Sequence, residues 1–316
     1  MPLPNAIEAR GLTRRFGDFT AVAGIDIAVA RGEVFGMIGA NGAGKTTAIR
    51  MLCGTLPPTS GTIRVGGFDM IHHARQARGR IGYVAQRFAL YGDLTVRENL
   101  ALQAGLYGLS NAQAKQRIAW ALNRLDLERS ASSRASRIPL GYQRRLAVAG
   151  ALLHEPQVLF LDEPTSGLDP LARGDLWELV YELAEREVGV LITTHYMDEA
   201  QFCDRLALMH AGAVLTDGSP QELLESAHDL ATLEVETPQI AACLALLRGS
   251  DEVLEVVPHA GRVRARLRQG VDVDATIRAV RERALGAKVA IDSIAPAPAV
   301  LEDVVVSLLQ QHGVRA

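Results

Sequence analysis

Short apolar runs alternate with segments of helical spacing along most of the chain. Val34–Ile38, Val158–Leu161 and Val188–Ile192 are continuous apolar runs of strand length, which is typical of parallel strands covered on both faces. Leu171–Arg186 lies between two of these runs and has the spacing of an amphipathic helix. Because strands and helices alternate in this way in α/β folds, we predict an α/β core built on a parallel sheet.

The same pattern predicts further elements on either side of these runs. Ile7–Arg31 alternates short β-like runs with turns, and a helical insertion is expected between about residues 90 and 155. Within the insertion, Thr95–Leu127 and Leu140–Leu153 have helical spacing, and His154-Glu155-Pro156 ends the second segment. Additional strands are predicted at Thr62–Val65, Ile81–Val84, Phe202–Met209 and Ala213–Thr216.

The pattern changes near Ser226–Asp229, so we predict an N-terminal domain over residues 1–229 and a C-terminal accessory domain over residues 230–316. The order of elements beyond that point is close to the β-α-β-β-α-β of a small α+β, ferredoxin-like domain, followed by a closing helix. The predicted strands are Thr232–Glu236, Val253–Val257, Val263–Leu267 and Lys288–Ile294, and the predicted helices are Gln239–Leu247, Val273–Ala284 and Val300–Gln310.

Composition narrows the classes of function. Apolar residues make up 48% of the 316 residues, enough for full cores, and the formal net charge of −3 gives no general attraction to nucleic acid. Three widely spaced cysteines lack metal-ligand spacing, so reduced thiols are expected. No apolar run reaches the ~18 residues that span a bilayer, and residues 1–10 lack the apolar centre of a signal peptide. A role at a membrane would therefore require another subunit.

One segment has the pattern of a phosphate-binding loop. It reads G-x-x-x-x-G-K-[ST], follows the strand Val34–Ile38 and precedes the helix-forming stretch Ala48–Leu52. Its glycines let backbone N–H groups turn toward a phosphate chain, and the helix N-terminus adds partial positive charge. Lys45 can reach the terminal phosphates and the Thr46 hydroxyl can ligate Mg²⁺, so we predict nucleotide binding. The loop residues are Gly39, Ala40, Asn41, Gly42, Ala43, Gly44, Lys45, Thr46 and Thr47.

Polar side chains at the ends of three other predicted strands complete a candidate site. Asp162 can hold the hydration shell of Mg²⁺, and the adjacent Glu163 can polarise a water that attacks the γ-phosphate. His195, at the end of another apolar strand, can contact the γ-phosphate and the same water. Gln86 follows a third strand, where its amide can touch Mg²⁺ or water and report the nucleotide state to the helical insertion.

These motifs resemble the ATP-binding subunit of an ATP-binding-cassette (ABC) transporter, of the daunorubicin-resistance and multidrug-efflux type that serves type-2 ABC permeases. The resemblance covers about residues 5–225 strongly and the tail more loosely. It implies a P-loop ABC ATPase core with a β subdomain and a helical insertion. In this family Gly39–Thr47 would be the Walker A loop, Leu159–Asp162 the Walker B strand and Glu163 the catalytic base.

The resemblance assigns the remaining motifs as well. Gln86 matches the Q-loop glutamine and His195 the switch histidine. Phe16, in Arg15-Phe16-Gly17, matches the aromatic residue that stacks on adenine, against the alternative that it only packs in the core. The D-loop positions are Ser166, Gly167, Leu168 and Asp169.

One motif departs from the family pattern. The signature, normally L-S-G-G-Q, reads Ile138-Pro139-Leu140-Gly141-Tyr142 here. In the family this segment closes over the γ-phosphate bound to the opposite subunit, and Pro139 has neither the hydroxyl nor the N–H of the usual serine. Proline is compatible with a first helical turn, and the N–H groups of Leu140 and Gly141 remain for an anion. We therefore expect the helix to be kept and one phosphate hydrogen bond to be lost.

The family implies an ATPase that works with Mg²⁺ as part of an exporter. Its expected partners are a second ABC ATPase subunit, the same or a different chain, and a type-2 membrane permease, with no nucleic acid. The chain would lie on the cytoplasmic face of the inner or plasma membrane, and the insertion, over roughly Phe88–Leu127, would carry the groove for the permease. The C-terminal domain is expected to stabilise the dimer or regulate it, rather than to sense a small molecule.

Two other functions compete with transport. A soluble ABC ATPase of translation or DNA maintenance usually has tandem cassettes or long coiled-coil arms, and the sequence has one cassette and neither addition. A small-molecule P-loop kinase conflicts with the D-loop and the switch histidine. A neighbouring reading frame for a six-span membrane protein would favour the transporter.

Overall fold

The computed structural model describes residues 5–87, 89–226, 231–268 and 270–311. The chain divides into two compact units, Met1–Ser219 and Pro220–Ala316. The predicted boundary between residues 229 and 230 lies outside the described residues. The second unit includes the helix Pro220–Glu225 because that helix packs against the closing helix of the same unit. Among the described residues, none of the helices combines the length and apolar character that a membrane crossing requires.

The described part of the N-terminal unit contains ten strands, seven α-helices and two short 3₁₀ segments. The strands are β1 (Ile7–Phe16), β2 (Phe19–Val29), β3 (Val34–Ile38), β4 (Ser60–Val65), β5 (Phe68–Asp69), β6 (Ile81–Val84), β7 (Val158–Asp162), β8 (Gly189–Thr194), β9 (Arg205–His210) and β10 (Ala213–Gly218). The α-helices are α1 (Lys45–Leu52), α2 (Ala74–Arg78), α3 (Val96–Leu106), α4 (Asn111–Arg124), α5 (Leu140–Leu152), α6 (Pro170–Glu185) and α7 (Met197–Ala200).

A six-stranded sheet in the order β10-β9-β3-β8-β7-β6 forms the centre of this unit. Strands β6, β7, β8, β3 and β9 are parallel to their neighbours, and only β10 is antiparallel. All residues of β3, β7 and β8 are buried, so the predicted parallel sheet with two covered faces is confirmed. The carboxyl ends of these three strands meet at one edge, where α/β folds carry their ligand sites.

A second, antiparallel sheet of β2, β1, β4 and β5 lies against helix α1 and the central sheet. Ile7, Ile63, Ile49 and Phe160 are buried in one continuous apolar cluster that includes residues of both sheets and of α1. Burying these side chains stabilises the unit by roughly 1.5–3 kcal/mol each. The helix that follows the glycine-rich loop is thereby fixed between the two sheets.

Helices α3, α4 and α5 occupy the segment for which the sequence predicts a helical insertion, although Phe88 lies outside the described residues. Two of them begin with reciprocal side-chain caps. Thr95 accepts a hydrogen bond from the N–H of Glu98, whose carboxylate accepts one from the N–H of Thr95, and Ser110 and Gln113 repeat the arrangement at α4. Such capping boxes fix where a helix begins, and each stabilises its helix by about 1 kcal/mol.

One strand of the N-terminal unit begins later than predicted. The expected strand Phe202–Met209 starts at Arg205, because residues 202 and 203 form turns whose N–H groups donate to the carbonyls of Glu199 and Ala200 at the end of α7. Local turn bonds therefore use the backbone groups that a longer strand would need.

The C-terminal unit has the predicted β-α-β-β-α-β order between a short first helix and a closing helix. Its strands form a fully antiparallel sheet in the order β12-β13-β11-β14, which is the split arrangement expected for a ferredoxin-like domain. The elements are α8 (Pro220–Glu225), β11 (Thr232–Glu236), α9 (Ile240–Arg248), β12 (Val253–His259), β13 (Arg262–Leu267), α10 (Val273–Ala287), β14 (Ser293–Ala297) and α11 (Leu301–Gln311).

The predicted strand Lys288–Ile294 is wrong in its position. Helix α10 continues to Ala287, and Lys288 ends it in a left-handed conformation with φ of 56°. The strand β14 starts at Ser293 and includes Pro296. Proline is tolerated there because β14 is an edge strand, whose outer N–H groups have no ladder partner to lose.

The sheet of the C-terminal unit is buried on both faces along β13. Val263 and Leu267 pack in the apolar core, while the alternate residues Arg264 and Arg266 are also buried. The guanidinium of Arg264 donates to the Asp303 carboxylate of α11 at 2.8 Å, and Arg266 donates to the Asp303 carbonyl at 2.6 Å. Helix α11 therefore covers the polar face of the strand through a buried ion pair.

Asp303→Ala should destabilise the C-terminal unit by about 3–5 kcal/mol, because it leaves the buried charge of Arg264 without its partner. Hydrogen exchange of β11 and β13 amides across a denaturant series measures this free energy in the full chain. Glu252→Ala is the matched control, since it breaks the half-exposed Arg283–Glu252 pair and should cost far less. Equal losses in the two variants would contradict the role assigned to the Arg264–Asp303 pair.

Candidate functional site

The glycine-rich loop connects β3 to α1 at the carboxyl edge of the central sheet. Gly39 and Gly44 have positive φ angles of 151° and 107°. A Cβ atom at Gly39 would lie 2.3 Å from the carbonyl oxygen of Met209, and one at Gly44 would lie 2.6 Å from that of Ala21. Only glycine fits at these two positions, because the backbone of a neighbouring segment lies too close to each of them for a Cβ atom. The loop opens directly onto the N-terminus of α1, which suits an anionic ligand.

Lys45 is the first residue of α1 and is 4% exposed. Its ammonium donates to the carbonyl oxygens of Gly39 at 2.6 Å and Ala40 at 3.1 Å, across the loop. Burial lowers the pKa of Lys45, and the neighbouring carboxylates of Glu163 and Asp162 act in the opposite direction. The predicted lysine therefore lies inside the loop, near the acidic side chains of Asp162, the last residue of β7, and of Glu163, which follows it.

Asp162 ends β7 beside the loop. Its Oδ1 accepts hydrogen bonds from the hydroxyls of Thr193 at 2.7 Å and Thr46 at 3.2 Å. Its Oδ2 is buried and has no hydrogen-bond partner among the described residues. Burial raises the pKa of Asp162, while the two hydroxyl bonds lower it.

An unpartnered carboxylate oxygen beside a hydroxyl is the donor set that Mg²⁺ prefers, because this hard cation binds oxygen ligands. Asp162 and Thr46 therefore fit the metal role predicted for them. Elsewhere in the described ranges, no cluster of three or more His, Cys, Asp or Glu side chains is arranged to hold a metal ion.

Glu163 follows Asp162 in a left-handed conformation with φ of 49°. Its carboxylate accepts a hydrogen bond from the Gln86 amide at 2.8 Å. The Nδ1 atom of His195 lies 3.6 Å from the other carboxylate oxygen, which is too long for a hydrogen bond, and this nitrogen is buried without a partner among the described residues. Three side chains predicted from separate strands thus converge on one point near the loop.

Two further residues hold this arrangement, and the sequence analysis missed both. The Thr193 hydroxyl donates to Asp162 and accepts from the N–H of Glu163 at 3.0 Å. Arg144 of α5 is 5% exposed and donates to the carbonyls of Glu163 at 3.0 Å and Ser166 at 2.9 Å. The pair Thr193-Thr194 at the end of β8 is a weak sequence signal for the role of Thr193. No local pattern marks Arg144.

The predicted D-loop lies between this point and α6. Asp169 caps α6 through bonds from the N–H groups of Leu171 and Ala172. A Cβ atom at Gly167 would lie 3.3 Å from the side chain of Leu140, at the start of α5. Gly167 and Leu168 therefore pack against the start of α5.

The structure refines the position of Pro139. It is the N-cap residue of α5, with φ of −55° and ψ of 155°, and the first helical residue is Leu140. Proline is acceptable there because an N-cap residue needs no intrahelical N–H, but it offers no side-chain cap. The N–H groups of the first turn, Leu140, Gly141 and Tyr142, come before the first residue that can bond within the helix.

Phe16 ends β1 at the hairpin to β2, and its ring is 46% exposed. The guanidinium of Arg14 lies 4.5 Å from the ring centroid. Ala21, near the start of β2, contacts the loop at Gly44. The hairpin therefore lies beside the phosphate loop, and the exposed ring is accessible to a planar group. Its role in stacking on a base stays a prediction.

The chain has many relatives among known proteins. The sequence profile for "ABC transporter" matches residues 22–166. The chain is 46% identical over 229 residues to the probable multidrug ABC transporter ATP-binding protein YbhF of Escherichia coli, which covers 72% of this chain and 40% of YbhF. It is 40% identical over 277 residues to Nod factor export ATP-binding protein I of Paraburkholderia xenovorans, which covers 85% and 91%. The chain thus spans less than half the length of YbhF but most of the Nod factor protein.

Other relatives agree with these. The daunorubicin resistance ATP-binding protein DrrA3 of Streptomyces coeruleorubidus is 41% identical over 245 residues, 77% of this chain and 78% of DrrA3. A solved ATP-binding subunit of an ABC transporter superposes with a TM-score of 0.66 at 31% identity, over 70% of this chain and 93% of that chain. The cassette MJ0796, solved as a dimer bound to ADP and Pi, superposes with a TM-score of 0.63 at 25% identity, over 67% and 98%. The resemblance and fold class predicted from the sequence are confirmed.

Thr193→Val should lower the stability of the N-terminal unit by about 1–3 kcal/mol, because it removes a buried hydroxyl that bonds both Asp162 and Glu163. Urea unfolding of the full chain measures the loss, taken from the first transition in which the N-terminal unit unfolds. Thr55→Val removes an exposed hydroxyl that donates to the Arg50 carbonyl and lies 3.4 Å from the Cys53 sulfur, and it should change stability by less than about 0.5 kcal/mol. The same small change in both variants would exclude a bridging role for Thr193.

Proposed function

The chain belongs to the ATP-binding proteins of ABC transporters, and we propose that it hydrolyses MgATP to drive export through a separate membrane permease. The observation that carries the proposal is the convergence of Glu163, Gln86 and His195 beside the phosphate loop. A site that only bound nucleotide would not need a carboxylate that accepts a hydrogen bond from Gln86 and lies close to His195. Drugs or antibiotics are the proposed cargo, by analogy with the multidrug and daunorubicin-resistance relatives.

Substrate binding uses the loop and two side chains. The backbone N–H groups at the start of α1 face the phosphates of ATP, and Lys45 shifts its ammonium from the loop carbonyls to the terminal phosphates. Thr46 and Asp162 would hold Mg²⁺, which supplies positive charge that neutralises the phosphate oxygens. The exposed ring of Phe16 stacks on the adenine.

Glu163 acts as the general base in this proposal. Its carboxylate accepts a proton from the water that attacks the γ-phosphorus, while the bond from that phosphorus to the oxygen of ADP breaks. Gln86 holds one carboxylate oxygen at 2.8 Å, so the other oxygen remains for the water. His195 lies on that second side and orients the water and the γ-phosphate.

Two cassettes are proposed to close on ATP. The start of α5, with Pro139 at its N-cap, would meet the γ-phosphate held by the loop of the second subunit. A relative of known structure, MJ0796, was solved as a dimer. The second subunit is either another copy of this chain or a different ATPase, and the two choices differ in whether both sites carry Pro139.

The proposed permease contact is a cleft on the helical insertion. It has a volume of about 190 Å³ and lies between β6, α3 and α5, next to the loop that carries Gln86. Its lining is mixed, with Leu100 and Leu146 beside the amides of Asn99 and Gln103. Side chains of a helix from a type-2 permease on the cytoplasmic face of the membrane would insert there, and the helix would sense movements of Gln86.

A soluble ABC ATPase is the second candidate. It shares the cassette and its site, so hydrolysis alone does not separate the two functions. Co-purification with a membrane protein encoded next to this chain, and stimulation of hydrolysis by that protein, would favour the exporter. A chain that hydrolyses ATP at full rate without a membrane partner and binds ribosomes or DNA would favour the alternative.

Glu163→Gln should keep the affinity for MgATP and lower turnover by about 10²–10⁴, the usual contribution of a positioned general base. The ATP-bound dimer should accumulate, as measured by light scattering. Glu187→Gln is the matched control. Glu187 also has a positive φ, of 63°, but its side chain is exposed and follows Glu163 by many residues in sequence. Turnover near the wild-type rate in Glu163→Gln would show that another residue is the general base, and His195 would be the next candidate.

Lys45→Ala should abolish the thermal stabilisation by MgATP, because the loop loses the ammonium that reaches the terminal phosphates.

Pro139→Ser should tighten ATP-dependent dimerisation if this chain pairs with itself. Serine restores a hydroxyl and an N–H, and one charge-assisted bond of about 1.5–3 kcal/mol corresponds to roughly tenfold or more in affinity. Serine is also a favoured N-cap, worth about 1 kcal/mol, but the loss of proline adds unfolded-state entropy worth about 0.4–1 kcal/mol, so stability must be measured alongside. Pro220→Ser, at the first residue of α8, controls for the loss of a proline. Unchanged dimerisation of the isolated chain would exclude the homodimer.

A further inference from the structure

Arg144 links the start of α5 to the catalytic segment of the same chain. It lies one turn after the N-cap Pro139 and is almost completely buried. Its two terminal nitrogens donate to the carbonyl oxygens of Glu163 at 3.0 Å and Ser166 at 2.9 Å. One side chain thus bridges the residue proposed as the base and the beginning of the D-loop.

The backbone of Glu163 is held from both sides by this contact and by Thr193. Its N–H donates to the hydroxyl and the carbonyl of Thr193, and its carbonyl accepts from Arg144. Glu163 has φ of 49°, a conformation that costs energy for a residue with a Cβ atom. Contacts at both peptide groups keep the residue in this conformation, and the direction of its carboxylate depends on them.

The guanidinium group is suited to this position in a way that other cations are not. Its planar fork can donate to two acceptors at once, and a charged donor makes shorter and stronger bonds than a neutral one. A lysine ammonium carries its donors on one nitrogen at the end of a flexible stem, so it lacks the two fixed terminal nitrogens with which Arg144 reaches the carbonyls of Glu163 and Ser166. The contact therefore depends on the geometry of arginine as well as on its charge.

Apolar contacts run parallel to this polar link. The side chain of Leu140 lies beside Gly167, and that of Leu168 lies 3.8 Å from the position of a Cβ atom at Gly141. The first turn of α5 and the segment after Glu163 therefore touch at several points. A displacement of the start of α5 would move both Ser166 and Glu163.

We infer that Arg144 is a positioning residue that connects the start of α5 to the carboxylate of Glu163 within one chain. The inference rests on the proposed function, in which the start of α5 meets the ATP of the second subunit while Glu163 serves the ATP in its own loop. Arg144 then joins the two ATP sites of a dimer. Closure of the start of α5 on one nucleotide would position the carboxylate of Glu163 for hydrolysis of the other nucleotide.

Arg144→Lys is the variant that tests this inference in the full chain. We expect kcat for MgATP hydrolysis to fall about tenfold or more while KM stays within about twofold, because binding residues are untouched. The Hill coefficient for ATP should fall toward one. Arg117→Lys is the matched control, since Arg117 also donates to two backbone carbonyls, those of Leu152 and Leu153, at the other end of α5.

Chemical rescue separates positioning from folding. Guanidinium ion added at low millimolar concentration should restore several-fold of the lost turnover in Arg144→Ala and none in Arg117→Ala. The inference is overturned if Arg144→Lys keeps kcat within twofold of wild type, or if Arg117→Lys loses as much.

Hydrogen exchange gives an answer that does not require turnover. In Arg144→Lys the amides of residues 163–168 should exchange about tenfold faster than in wild type, while those of the phosphate loop should not change. Unchanged exchange in residues 163–168 would also overturn the inference. Wild-type protein that binds no MgATP would count against the proposed function instead, since the exchange measurement would still decide the contact.

Discussion

The hydroxyl of Thr193 is the contact on which the geometry of the site most depends. It joins the ends of β8 and β7 by donating to Asp162 and accepting from Glu163. The parallel register that pairs Asp162 with Thr193 makes this possible. Because side chains alternate along a strand, a slip of either strand by one residue would turn its own polar group to the other face of the sheet, away from its partner. The chemistry at the loop therefore depends on the register of two buried strands.

The parts of this arrangement that are local in sequence could be predicted from it. The loop motif, the apolar strands before it and before Asp162, and the polar residue at each strand end follow from patterns a few residues long. The β-α-β-β-α-β order of the C-terminal elements followed from counting them along the chain. These features depend on hydrophobic spacing and glycine positions, which a sequence displays directly.

The parts that depend on distant contacts could not be predicted. Arg144 reads as an ordinary polar residue of an amphipathic helix, and only the packing of α5 against the end of β7 turns it toward Glu163. The shift of β14 has a similar origin. Residues 288–292 have an alternating pattern, but α10 runs on to Ala287 and the edge position lets Pro296 join the sheet. Tertiary packing decides such cases over local preference.

The bonds of Lys45 to its own loop affect which ligands can bind there. An anion that enters the loop must compete with the carbonyl oxygens of Gly39 and Ala40 for the buried ammonium. A weakly charged ligand gains little from that exchange, because it replaces two good acceptors with one of similar strength. A triphosphate offers several oxygens of high charge at once. The loop thus selects by charge density, and abundant monovalent anions are poor competitors for it.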